Sequence, residues 1–212
     1  MYKKLFIFDL DGTLVDAYRA IESSLNATRA RFGYPPVSYK EVRSRVGRGD
    51  RRFIETFFPH RDAARAVSFY RRHHKGALVS LARTMPKALR TLAALKKRNK
   101  LIAIASNRPS PFTRIIIKAT GISRYIDGVW CADEVNSLKP RPKILNVIVK
   151  RFGVEKRDSV YIGDMDIDLD TARRARIDPV FVTTGSCSVA QVRSFKNKKV
   201  IKSLSELLTL YV

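Results

Sequence analysis

Cysteine is almost absent from this chain. Two occur in 212 residues, Cys131 and Cys187. They form no C-x-x-C pair and are too few for a disulfide framework, so both are expected to be reduced thiols without a metal or redox role. Acids are also scarce: 19 Asp and Glu stand against 42 Lys and Arg, a formal net charge of +23. No apolar run approaches the roughly 18 residues that a membrane-spanning helix needs, so no membrane partner is expected. The opening stretch Leu5-Phe6-Ile7-Phe8 is apolar, but Asp9 and Asp11 interrupt it and no small-residue cleavage site follows. A secretory leader is therefore not expected, and a cytoplasmic location is.

What is present is a globular composition, 45% hydrophobic and 29% charged, able to bury a core as one domain or as one domain with a smaller insert. The positive field attracts polyanions and speeds the arrival of anionic substrates. It makes nucleic acid a rival partner. The basic residues are scattered rather than gathered into a tail or stripe, so specific nucleic-acid binding is not expected despite the charge. The sequence does not fix an oligomeric state.

Short apolar runs at 3–10, 101–105, 128–131, 159–162 and 179–182 read as buried strands, most ending in polar or glycine-containing turns. Helical patterns lie between them at 86–98, 109–120, 142–152 and 167–176. Pro86 and Pro109 stand where a first turn tolerates proline, and Gly121 and Gly153 where a helix stops. This alternation predicts an α/β fold with a parallel sheet covered on both faces. Residues 15–81 break it: apolar spacing supports helices at 18–32, 39–46, 51–58 and 62–78 and no strand. That is far longer than an ordinary crossover. The expected organisation is an α/β core formed by residues 1–14 and 82–212, with an inserted helical cap at 15–81.

The first strand runs straight into Asp9-Leu10-Asp11-Gly12-Thr13-Leu14. Two carboxylates, two residues apart, stand at the carboxyl end of a buried strand, where open α/β sheets bind ligands. Uncompensated acids there cost energy and have no evident structural use. Gly12 then permits a tight turn.

This segment resembles the first motif, D-x-D-G-T-[LV], of the haloacid dehalogenase (HAD) superfamily of hydrolases, and matches it at every position. The resemblance implies a Rossmann-like core with a small cap inserted after the first strand, as in the subgroup of phosphoglycolate phosphatase and β-phosphoglucomutase. It implies that Asp9 is the nucleophile and Asp11 the general acid and base. A carboxylate attacking phosphorus splits one hard step into two, and one acid can serve both the leaving alkoxide and the later water. Ile162-Gly163-Asp164-Met165-Asp166-Ile167-Asp168 resembles the fourth motif, G-D-x-x-x-D, with Met165 where the family usually has Ser or Thr. The implied metal set is Asp9, the backbone carbonyl of Asp11 and Asp164, with Asp168 in support, and oxygen ligands of this kind suit Mg²⁺. Asp166 and Asp170 read instead as acids at a helix N-terminus. Lys139-Pro140-Arg141-Pro142 resembles the third motif, K-P-x-P, which implies that Lys139 neutralises nucleophile and phosphate. Ser106 follows a strand as the second motif requires and would donate to a phosphate oxygen, with Asn107 and Thr13 as further substrate contacts.

In the cap, Gly47 and Gly49 allow a bend, and the neighbouring Arg45 and Arg48 are candidates to pair with a second anionic group of the substrate. His60, His73 and His74 are expected at the cap surface. The function expected from the resemblance is an Mg²⁺-dependent phosphatase for a small phosphorylated metabolite, phosphoglycolate first, working through an aspartyl phosphate. A sugar-phosphate mutase, or a HAD phosphatase for a nucleotide, a sugar phosphate or pyrophosphate, stays open. Asp11 argues against a dehalogenase, and the full site set against a module that only binds nucleic acid.

Overall fold

The structure, a computed structural model, describes residues 2–211. The chain opens with β1 (Leu5–Phe8), and a two-residue strand β2 (Val15–Asp16) leads into four helices: α1 (Tyr18–Arg31), α2 (Tyr39–Arg45), α3 (Asp50–Glu55) and α4 (His60–Leu81). It returns through β3 (Arg83–Thr84) and continues with α5 (Ala88–Lys97), β4 (Leu101–Ser106), α6 (Ser110–Ala119), β5 (Gly128–Cys131) and α7 (Lys143–Phe152). The last elements are β6 (Ser159–Gly163), α8 (Asp166–Ala175), β7 (Asp178–Val182), β8 (Lys199–Ile201) and α9 (Leu207–Tyr211).

Six strands form one sheet in the order β5-β4-β1-β6-β7-β8, every pair parallel. The central strand shows why both faces are covered. Leu5 and Ile7 point into a cluster with Ile144, Ile148, Ala172 and Ala175 of α7 and α8. Phe6 and Phe8, offset by the strand's period of two, point the other way towards Leu92, Ile116 and Leu207. All four β1 side chains are fully buried, which accounts for a continuous apolar run where a one-sided strand would alternate.

The α/β reading therefore stands, with differences at the shortest elements. Val15 and Asp16 are extended, not helical: they pair antiparallel with Thr84 and Arg83. This ribbon carries the chain out of the sheet and back, and two residues are too few to show a period. β8 was not expected either. It closes one sheet edge with only Ile201 buried and Val200 exposed, so an apolar pattern is lacking.

Between the two ribbon strands α1 lies against α4, burying Ile21 and Leu25 on one side and Val67, Tyr70 and Leu78 on the other. α1 starts where Asp16 Oδ1 accepts the Tyr18 amide at 3.1 Å. α2 starts where Ser38 accepts the Glu41 amide, a local cap for donors that a helix leaves unpaired. The insert's apolar side chains join the same cluster that covers one face of the sheet.

Candidate active site

Three neighbouring strands deliver the chemistry to one edge. The register sets Phe8 beside Ile104 and Ile162, so Ser106, Asp9 and Asp164 emerge side by side at the carboxyl ends of β4, β1 and β6. The Asp9 amide donates to the Ile162 carbonyl at 2.8 Å, extending the ladder by one bond. Lys139 arrives from the loop between β5 and α7, where its amide donates to Asn107 Oδ1 at 2.8 Å.

Lys139 Nζ donates to Asp9 Oδ1 at 2.6 Å, to Asp168 Oδ1 at 2.7 Å and to the Tyr161 hydroxyl at 3.0 Å. Tyr161 in turn donates to Asp168 Oδ1 at 2.9 Å, and Asp168 Oδ2 accepts the Met165 amide. Asp164 is held from two sides. Oδ1 accepts Thr13 Oγ1 at 3.1 Å, and Oδ2 accepts the Ser186 amide at 2.8 Å. A Cβ on Gly185 would stand 1.8 Å from Asp164 Oδ2, so only glycine lets the backbone pass there. Gly12, at φ +85°, makes the turn after Asp11, and a Cβ on it would meet the same carboxylate at 2.6 Å.

Carboxylate oxygens of Asp9, Asp164 and Asp168 lie within 4.8 Å of one another, and all three residues are buried. One ammonium cannot balance three such acids. Burial pushes the Asp9 carboxyl well above the usual carboxylate range; Lys139 opposes this and the other two acids reinforce it. Burial also raises Asp164, to about 7, with Asp168 adding and the Ser186 and Thr13 donors opposing. Burial works against the Lys139 charge, yet Asp168 and Asp9 outweigh it and hold the ammonium well above the ordinary lysine value. The acid triad thus has negative charge to spare and only hard oxygen donors, which fits a divalent cation.

Asp11 does not join the triad. Its carboxylate meets Arg108 edge to edge, Nε to Oδ2 at 2.9 Å and Nη2 to Oδ1 at 2.8 Å. Ser106 is buried, its Oγ accepting the Arg108 amide at 3.1 Å.

Of the four expected substrate contacts, three lie off the cavity and one, Asn107, lines it. Thr13 is fully buried and points at Asp164, behind the acids. The Asn107 amide group lines the cavity but spends its hydrogen bonds on backbone: it donates to the Gly47 carbonyl at 3.0 Å and accepts the Lys139 amide. Arg45 turns outward to Glu41, 2.9 Å away on the preceding turn of α2, and to the Thr56 carbonyl. Arg48 lines an outer groove with Arg52 and Leu138, not the cavity that holds Asp9. The histidine expectation also fails for His74, which is 1% exposed. It stacks on Tyr70 with ring centroids 4.7 Å apart. Asp166 and Asp170 stay outside the triad, the first at the start of α8 and the second paired with Arg173 and Arg174.

Arg108, Tyr161, Gly185 and Ser186 were not singled out from sequence. Arg108, two residues after Ser106, carried a usable signal; Tyr161 looked like one more apolar strand position, and Gly185 and Ser186 gave none.

The cavity over Asp9 encloses about 620 Å³ including its mouth. Core residues Asp9, Asp11, Ser106, Arg108 and Lys139 form its floor, and Ile21, Val46, Phe53 and Tyr70 of the insert line its other side. Met165 also lines it, with its sulfur against Gly47 of the insert.

The pattern described as haloacid dehalogenase-like hydrolase matches residues 6–182. A phosphoglycolate phosphatase of Agrobacterium fabrum is 30% identical over 195 residues, covering 89% of this chain and 84% of that one. A plasmid-borne phosphoglycolate phosphatase of Cupriavidus necator is 31% identical over 185 residues, covering 84% and 80%. Among solved structures, a haloacid dehalogenase-like family hydrolase from Streptococcus pneumoniae superposes with a TM-score of 0.89 at 20% identity, covering 98% of each chain. At that identity the likeness speaks for the fold alone. Among the described residues, no helix is long and apolar enough to cross a membrane.

Proposed function

The chain belongs to the haloacid dehalogenase-like hydrolases, and from that premise we propose that it is a cytoplasmic, Mg²⁺-dependent phosphatase that passes a phosphoryl group through Asp9. The observation that carries this reading is the Asp9 carboxylate itself, buried at the sheet edge 2.6 Å from Lys139 and within the acid triad.

In this reading Asp9 attacks phosphorus, with Lys139 next to it offsetting charge as an anionic phosphate approaches. Asp11 also lines the cavity. It gives a proton to the leaving oxygen and takes one from the water that releases phosphate. Ser106, at the end of the neighbouring strand, donates to a phosphoryl oxygen. Asp9, the Asp11 carbonyl, Asp164 and Asp168 would hold Mg²⁺, which when bound supplies positive charge to phosphate oxygens. The insert over residues 15–81 acts as a cap, because it supplies the apolar side of the cavity and excludes water there.

The substrate is a small phosphomonoester. 2-Phosphoglycolate stands first because relatives at 30% and 31% identity carry its name. Both cations lining the cavity, Arg108 and Lys139, already face carboxylates, so esters with uncharged leaving groups are the natural comparison. The test is phosphate release from a panel containing both kinds, with Mg²⁺, for wild type beside Asp9→Asn. Turnover that needs Mg²⁺ and vanishes in Asp9→Asn supports the reading. Turnover indifferent to EDTA and to that substitution rejects it.

A further inference from the structure

A buried polar chain runs from the insert to Asp11, and the mechanism above leaves most of it unused. Ser24 on α1 donates its only proton to the Ala20 carbonyl at 2.8 Å. Its oxygen can therefore only accept from His74 Nδ1, 3.0 Å away. That fixes the imidazole tautomer: Nδ1 carries the proton, and Nε2 presents a lone pair. Arg108 Nη1 donates to that lone pair at 2.8 Å, while its Nε and Nη2 hold both oxygens of Asp11. His73 Nδ1 also approaches the Ser24 oxygen, at 3.2 Å.

Every link is shielded. Ser24 is fully buried and His74 is 1% exposed, and the Arg108 side chain is 8% exposed. His74 is wedged between Tyr70, stacked at 4.7 Å, and Phe112, edge-on at 5.5 Å. Burial, reinforced by Arg108, pushes the imidazole down to about 2, so it stays neutral and keeps the lone pair. A guanidinium has five N–H donors and no acceptor. A charged His74 would repel it; a neutral one gives the free edge of Arg108 a partner that does not compete with Asp11.

We propose that His74 is a positioning residue for Asp11: the insert, through His74, fixes the rotamer of Arg108, and Arg108 fixes the carboxylate that handles the leaving-group proton. Ser24 and His74 belong to α1 and α4 of the insert, whereas Arg108 belongs to the loop between β4 and α6. The proton-transfer group is thus oriented only when the insert is seated on the core. The inference rests on the proposed role of Asp11.

The test compares kcat/KM, with Mg²⁺, for 4-nitrophenyl phosphate and for an alkyl phosphate. A nitrophenolate leaves without help, whereas an alkoxide needs the proton. His74→Phe keeps the ring packing and removes the acceptor. His74→Gln keeps an oxygen where Nε2 stood. The expected result is a loss of about tenfold or more on the alkyl ester in His74→Phe, part of the roughly 10²–10⁴-fold that a positioned acid supplies, with a much smaller loss on the nitrophenyl ester and substantial recovery in His74→Gln. If His74→Phe fails to fold, Arg108→Lys, which can hold only one Asp11 oxygen at a time, is expected to show the same dependence on leaving group. Equal losses on both esters, no loss, or no recovery with Gln overturns the proposal. The Asp9→Asn control separates the two claims: wild-type turnover that survives it overturns the parent reading, and with it this one.

Discussion

Lys139 Nζ stands 2.6 Å from Asp9 Oδ1, and both side chains are closed to solvent at 3% and 8% exposure. A pair so buried is costly to break, because the partner left behind is an unpaired charge. Lys139→Met removes the one ammonium that, among the described residues, faces the three acids. We expect kcat to fall by roughly 10²–10³-fold, the scale of losing one aimed electrostatic group. Steady-state phosphate release checks this, and a change of only a few-fold would place the working charge elsewhere.

Thr13 separates support of the metal site from contact with substrate. Its hydroxyl reaches Asp164 and not the cavity. Thr13→Val keeps the shape and deletes the donor. The Mg²⁺ concentration for half-maximal activity is expected to rise by about 10–100-fold, as for other groups that orient a metal ligand, while the substrate KM at saturating Mg²⁺ stays put. An Mg²⁺ titration decides, and the opposite pattern would return Thr13 to the substrate.

The Asp164 carboxyl makes stability depend on pH and metal together. Burial raises it to about 7 in the folded, metal-free protein, against about 3.9 in an unfolded chain. Between those values the folded state holds a proton that the unfolded state has lost. The stability this proton lends is complete below about pH 4 and is lost as pH rises through 7. Mg²⁺ needs the ionised form. The rise in melting temperature on adding Mg²⁺ is therefore expected to be small at pH 5.5 and full at pH 8. A shift that is flat or larger in acid would contradict the raised carboxyl.

His74 has the opposite sign. Its imidazole is depressed to about 2, so below pH 6.5 the unfolded chain takes up a proton that the folded chain refuses. Between pH 7 and 5 this costs the folded state about 2 kcal/mol. His74→Gln lacks the group, and its stability is expected to fall less over that interval by about the same amount. Denaturant titrations of both proteins at the two pH values check it; parallel pH profiles would mean that His74 titrates freely.

The legible features were those with a repeating or punctuated signal. Four apolar residues from Leu5 to Phe8 followed by Asp9 announced a strand buried on both faces and a charge at its end, and the structure has both. Ser106, Lys139 and Asp164 could be aligned in order after their own strands, and they converge on Asp9. The strand at Val15 and Asp16 escapes the sequence pattern because a two-residue ribbon has no period. For Arg45 and Arg48 charge and neighbouring glycines are the whole signal, and charge does not tell which arginine faces a cavity: Arg45 pairs along α2 with Glu41, and Arg48 sits in the bend between α2 and α3. The role of Thr13 is not legible locally, because its partner, Asp164, lies 151 positions on. Arg108 and His74, 34 positions apart in sequence, become one unit only after α4 settles against α6, and no local pattern encodes that contact.

The central claim is that Asp9 carries the phosphoryl group, and trapping it is the most direct test. Wild-type enzyme and Mg²⁺ are mixed with a ³²P-labelled substrate, quenched in acid during turnover and digested. The account predicts label on the peptide containing Asp9, stable to acid and released by hydroxylamine as an acyl phosphate, and none from Asp9→Asn. Sustained turnover with no protein-bound label, or label on a peptide lacking Asp9, would contradict it.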